Sequence, residues 1–293
     1  MGRALVWALA ANLGFVLVEF VTGFWANSLA LITDAVHNLS DLPSMSLALL
    51  ALFLQRRPAD ARRTYGYQRS GVLAAFVNAL VLAAVAAYIF YAAYLRFQNP
   101  APVLTEVLVW VSLAGIVVNG GIAWGMWRGR SDVNLRTVVI HNAGDAASNV
   151  AILAGALVME RTGWLWVDPL LSVAIGAAVL WSSWSVIQET TNILLEGTPR
   201  GVDVERVARA ILKVPGVLEV HDVHIWSLAS SLHALSCHVR IAEMSTRDSE
   251  KILAQLNELL EREFGITHTT IQFEPATAAA KVHYFPADTR NKS

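Results

Sequence analysis

Two short stretches carry the residues that could do chemistry. Asp34-Ala-Val-His37-Asn-Leu-Ser-Asp41 and His141-Asn-Ala-Gly-Asp145 each place a histidine four residues before an aspartate. On a helix, positions four apart lie on one face, with about 5–6 Å between their β-carbons. Neutral imidazole nitrogens and carboxylate oxygens are ligands for a divalent cation. His37, Asp41, His141 and Asp145 together make a tetrahedral, zinc-type set. Such a set binds metal only when its imidazoles are neutral and its carboxylates ionised, so protons and metal compete for the same four side chains. Asp34 lies three residues before His37 and reads as a gate or structural group rather than a ligand.

Both stretches sit in apolar surroundings. The chain has 293 residues, of which 55% are hydrophobic and only 15% charged, against about 25% charged in an ordinary soluble domain. Its mean hydropathy is +0.47. A single soluble globular domain is excluded, and an integral membrane protein is expected. Lys+Arg 22 nearly cancel Asp+Glu 23, which leaves no electrostatic case for a nucleic-acid partner. The single cysteine, Cys237, excludes disulfide frameworks and multi-cysteine metal sites.

A membrane-spanning helix needs about 20 mainly apolar residues. Six stretches qualify: Ala4–Phe24, Leu29–Leu54, Val72–Leu95, Leu104–Trp127, Thr137–Met159 and Trp164–Ile187. Arg56, Arg57, Arg62, Arg63 and Arg69 fill the connection between the second and third, and Arg128, Arg130 and Arg136 that between the fourth and fifth. The alternate connections carry only Arg96 and Arg161. The excess of positive charge marks the cytoplasmic side, so both basic loops, the N-terminus and the C-terminal part are expected there. At about 1.5 Å per residue, Asp41 and Asp145 lie roughly 18 and 21 Å from the outer ends of their spans. Both depths are near mid-membrane, where one ion could bridge the second and fifth helices. An ionisable group there costs roughly 2.5–3.5 kcal/mol on insertion scales, and two matched pairs call for a shared ligand. Glu19, Asn12 and Asn78 are single polar residues, expected to tie helices together.

Charge density rises after Gly197-Thr198-Pro199, and every lysine lies beyond residue 200. The expected division is a transport domain over 1–199, a soluble unit over 200–275 and a loose tail over 276–293. Within the soluble unit Val202–Leu212 has helical spacing, and Leu218–Leu228 and Leu232–Ile241 read as strands. Ser249–Phe264 reads as an amphipathic helix and Thr269–Phe273 as a last strand. The order αββαβ predicts a three-stranded sheet with two helices on one face. Cys237 and His238 must then point to opposite faces.

The chain resembles the cation diffusion facilitator family of zinc/proton antiporters. The likeness runs along nearly its whole length. It is carried by Asn12…Glu19, by Ser28-Leu-Ala-Leu-Ile-Thr-Asp34-Ala-Val-His37-Asn-Leu-Ser-Asp41, and by Tyr65-Gly66-Tyr-Gln-Arg69. Further on it is carried by His141-Asn-Ala-Gly-Asp145-Ala-Ala-Ser-Asn149, Asp168-Pro169, Glu196-Gly-Thr-Pro199 and His224-Ile-Trp226. The resemblance implies a six-helix α-helical membrane bundle with a ferredoxin- or metallochaperone-like αββαβ cytoplasmic domain, a homodimer, and Zn²⁺ export exchanged for protons. The short chain and its excess of arginine over lysine point to a bacterial inner (plasma) membrane. It further implies a cytoplasmic metal site from His221, His238, His268 and Glu274, whereas the residues alone read equally as surface histidines. No organic cofactor is implied. The loop before the third span lacks the histidines that members often carry, so histidine-loop capture of the ion is not expected.

Returning protons removes an electrical cost. Moving Zn²⁺ outward against 100 mV, inside negative, takes about 4.6 kcal/mol at about 2.3 per charge. One returning proton halves this and two cancel it. A passive divalent-metal channel or a membrane metal sensor is the alternative reading of the same residues. An intramembrane metalloenzyme is disfavoured, since neither a His-Glu-x-x-His motif nor a nucleophile beside the His/Asp set is present.

Overall fold

The computed structural model describes residues 2–39, 53–54, 57–127, 133–229 and 232–277. Its elements are α1 (Gly2–Trp25), α2 (Leu29–Leu39), α3 (Ser70–Gln98), α4 (Thr105–Met126), α5 (Val133–Thr162), α6 (Val167–Leu194), α7 (Val204–Ile211), β1 (Val217–Ala229), β2 (Leu232–Ile241), α8 (Thr246–Phe264) and β3 (Ile266–Pro275). They divide into two compact units, Met1–Leu47 with Val77–Ile187, and Ala48–Phe76 with Gln188–Ser293.

The first unit is helical and inverts the usual distribution of polarity. Trp124 and Trp181 are each 83% exposed, while Glu19, Asn119, Asn149 and Asp168 are fully buried. Water would favour the reverse; lipid favours large apolar side chains outside and polar ones turned inward. Among the described residues α3, α4 and α6 are long and apolar enough to cross a membrane. Leu31 of α2, Leu108 of α4, Ile152 and Ala156 of α5 and Val167 of α6 pack into one apolar core. Gly115 lets α4 and α5 close together, because a β-carbon there would collide with the Asn149 amide and the Phe15 ring.

The start of α2 is held from outside its own sequence. The Asp168 carboxylate accepts hydrogen bonds from Ser28 Oγ (2.6 Å), Leu29 N (2.8 Å) and Ala30 N (3.2 Å). Ser28 Oγ in turn accepts from Leu31 N (3.2 Å). The first amides of a helix have no partner within it, and a carboxylate also suits the positive end of the helix dipole. Asp168 therefore caps the helix that carries His37.

The second unit ends in the expected αββαβ order. Its sheet runs β1-β2-β3, with β1 and β2 antiparallel and β2 and β3 parallel. Val207 and Ile211 of α7, and Ile252, Leu256 and Leu260 of α8, pack on the face formed by Val223, Ile225, Leu235, Cys237, Val239 and Ile266. Both helices thus cover one face, as the αββαβ order predicted. Asp203 caps α7 by accepting from Glu205 N (2.9 Å) and Arg206 N (3.3 Å). The two largest shifts from the sequence expectation within this unit are three residues each. Helix α8 begins at Thr246 because Ser245 accepts from Asp248 N (3.2 Å) and caps it. Strand β3 begins at Ile266, immediately after Gly265, whose φ of 66° closes α8 in the left-handed conformation that favours glycine.

Candidate metal centres

The first centre lies between α2 and α5. One helical turn separates Asp34 from His37, and another separates His141 from Asp145. His141 Nε2 is 3.5 Å from Asp145 Oδ2. Asp34, His37, His141, Asp145 and Ser148 line one cavity of about 640 Å³, closed on its apolar side by residues such as Leu171. Asp145 is 4% exposed. Asp41, the fourth member of the expected set, lies outside the described residues. A cavity with two imidazoles and a buried carboxylate on its wall suits a desolvated divalent cation that exchanges for protons.

Asp34 is held by α5. Its carboxylate accepts from Ser148 Oγ (2.5 Å) and Asn149 Nδ2 (3.3 Å). Asn149 Nδ2 also donates to Asp145 O (3.0 Å), and Asn38 Nδ2 donates to Glu19 Oε2 (3.5 Å). These bonds tie α2 to α1 and to α5.

The second centre lies on the sheet face opposite the helices. His221 and His238 pair directly across β1 and β2, and Arg240 pairs with Glu274 across β2 and β3. Glu274 leans toward the histidine row, so that Oε2 is 3.2 Å from His221 Nε2 and Oε1 is 2.9 Å from His238 Nδ1. One ligand atom from each of the three residues lies within 4.8 Å of the other two. Two imidazoles and a carboxylate fit zinc, with one coordination position left over.

His268 is not in this group. It shares strand parity with Glu274 but sits six residues away, about 20 Å at roughly 3.3 Å per residue. It pairs in register with Ala234, and its ring meets Tyr65 edge-on at 5.3 Å. Shared parity puts residues on one face; only short spacing puts them in one site. His224 is separated from His221 by a bulge at Asp222, whose φ is 52°. Asp222 reaches His224 Nε2 at 3.0 Å and His238 Nε2 at 3.9 Å. At 3.9 Å the second contact is too long for a hydrogen bond, and Asp222 stands as an acidic neighbour of the histidine pair that sequence reasoning missed. Burial pushes the His233 pKa down, and its Nδ1 meets Ser227 Oγ at 3.2 Å. Burial pushes the Cys237 thiol up to about 12; it stays protonated within the core and offers metal no thiolate.

Residues 5–195 match the model of the cation efflux transmembrane domain, and residues 199–276 that of the cation efflux protein cytoplasmic domain. The "Cadmium, cobalt and zinc/H(+)-K(+) antiporter" of Bacillus subtilis is 40% identical over 265 residues, covering 89% of this chain and 85% of the relative. The "Metal cation efflux system protein CzcD" of Cupriavidus metallidurans is 38% identical over 288 residues, covering 97% and 91%. The "Zinc transporter ZitB" of Shigella flexneri is 36% identical over 275 residues, covering 93% and 87%.

Proposed function

The chain belongs to the cation efflux family, whose members are membrane transporters rather than enzymes, and on that premise we propose that it exports Zn²⁺ from the cytoplasm in exchange for protons. His37, Asp41, His141 and Asp145 hold the travelling ion, which is substrate and not a resident cofactor. The protein works in the plasma membrane as a homodimer, with six spans and with both termini in the cytoplasm. Residues 1–199 form its transport domain, 200–275 the cytoplasmic domain and 276–293 a loose tail. The names of relatives support zinc as cargo and the proton as counter-ion.

The observation that carries this reading is the shared cavity. His37 on α2 and the His141–Asp145 pair on α5 face one cavity, and no single helix could supply that set. Each turn of the cycle follows from the chemistry of these side chains. On the cytoplasmic side, near neutral pH, the imidazoles are largely neutral and the carboxylates are free to take metal. Opening to a more acidic outside protonates the ligands and releases the ion. The protons carried back restore the charge balance worked out above. In the cytoplasmic domain His221, His238 and Glu274 bind zinc drawn from the cytoplasm. Its ions lie outside the route through the membrane, so their role is regulation by cytoplasmic metal.

Reconstituted protein tests the reading. Zinc flux into proteoliposomes should follow an imposed pH gradient and move protons the other way. Flux that ignores the gradient and carries no counter-flow of protons would identify a channel instead.

A further inference from the structure

The cytoplasmic centre has a permanent positive charge built against it. Arg240 follows His238 by two residues on β2 and so shares its face of the sheet. It stands between Glu219 of β1 and Glu274 of β3 in the strand register. Its Nη1 donates to Glu219 Oε2 at 2.6 Å, while its Nε lies 3.9 Å from Glu274 Oε2. That same oxygen is 3.2 Å from His221 Nε2. The Arg240 side chain is only 12% exposed, and its Nε and Nη2 are buried without a hydrogen-bond acceptor among the described residues.

Resting on the reading of His221, His238 and Glu274 as a metal site, we propose that Arg240 sets the affinity of that site. A guanidinium never loses its proton at physiological pH. A divalent ion held by Glu274 must therefore sit within a few ångströms of a fixed unit charge in poorly hydrated surroundings, where repulsion is far less screened than in water. Arg240 also draws on the Glu274 oxygen that the metal needs. The Glu219 carboxylate, through its short bond to Nη1, offsets part of that positive charge, and the remainder bears on the bound ion. The consequence is a centre that fills only when cytoplasmic zinc is raised, a threshold sensor rather than a site permanently occupied.

The test uses full-length protein carrying Asp145→Ala, which removes one intramembrane ligand, and follows zinc by competition with a chromogenic indicator. Arg240→Gln should tighten the cytoplasmic site at least tenfold (about 1.4 kcal/mol), whereas Arg240→Lys, which keeps the charge, should stay within about threefold of the parent. Glu219→Gln should act in the opposite sense and weaken binding, because the guanidinium is then left with Glu274 alone. His238→Ala identifies the signal by removing it. If His238→Ala leaves zinc binding unchanged, the cytoplasmic site itself does not exist. If it removes binding but Arg240→Gln binds no tighter than the parent, the site stands and the role given to Arg240 is overturned. Should Arg240→Gln fail to fold, Glu219→Gln decides alone, and binding as tight as the parent's overturns the proposal.

Discussion

The two proposed centres draw on the same ligand types, imidazole and carboxylate, and are built by opposite means. In the membrane unit His141 finds Asp145 four residues along one helix, the sequence spaces His37 and Asp41 in the same way, and the proposed site needs only to bring two such pairs together. In the cytoplasmic unit no ligand finds a partner within its own strand; all three come from different strands, and a one-residue slip in register would scatter them. The two surroundings also differ in charge. The described wall of the intramembrane cavity carries acidic groups and imidazoles and no lysine or arginine, whereas the cytoplasmic centre has Arg240 against Glu274. A transport site has to take up a cation and let it go using protons alone. A sensor gains from a fixed charge that raises its threshold.

The sharpest way to break this comparison is to remove one carboxylate from the membrane set. Asp145→Ala should lower proton-coupled zinc flux at least a hundredfold at matched expression, while His238→Ala keeps it within about threefold. Equal losses from the two variants would erase the distinction between route and regulator. A smaller effect separates the centres by stability. A ligand that binds only the folded form stabilises it by about 2.7 kcal/mol at a hundred times its dissociation constant. Zinc should therefore raise the melting temperature of the cytoplasmic unit's transition in the intact protein, and His238→Ala should remove that rise. Below that comes the cap on α2. Asp168→Ala leaves Ser28 Oγ and the amides of Leu29 and Ala30 without their acceptor, which should cost about 1–2 kcal/mol and weaken zinc binding at His37 without touching the cytoplasmic centre. The smallest effect is the most pointed. His268→Ala should leave the zinc-induced rise in melting temperature unchanged, and losing that rise would return His268 to the site.

Much of the fold was legible because its signals are local. The apolar stretches, the amphipathic spacing of Ile252, Leu256 and Leu260, and the alternation through β2 each report the environment of neighbouring residues. The errors are instructive in the same way. The start of α8 was misplaced because the cap at Ser245 precedes the apolar pattern by several residues. The family resemblance grouped His268 with Glu274, and alternation could not separate them, because it reports which face a residue occupies and says nothing of where along the strand its partners lie. The bulge at Asp222 could not be foreseen either, since an aspartate within a strand pattern carries no sign that its φ will be positive.

The sequence by itself determined the class of molecule, the αββαβ order of its soluble part and the two His-x-x-x-Asp pairs, because hydrophobicity and the helical repeat act between residues close in the chain. Only the tertiary structure decided which strand residues face one another. It placed Arg240 against Glu274, brought His221 to His238, left His268 beside Tyr65 and put the cap of α2 on Asp168 of α6. Those contacts join residues far apart in the chain. They depend on strand register and helix packing, which the whole core settles at once and no local stretch encodes.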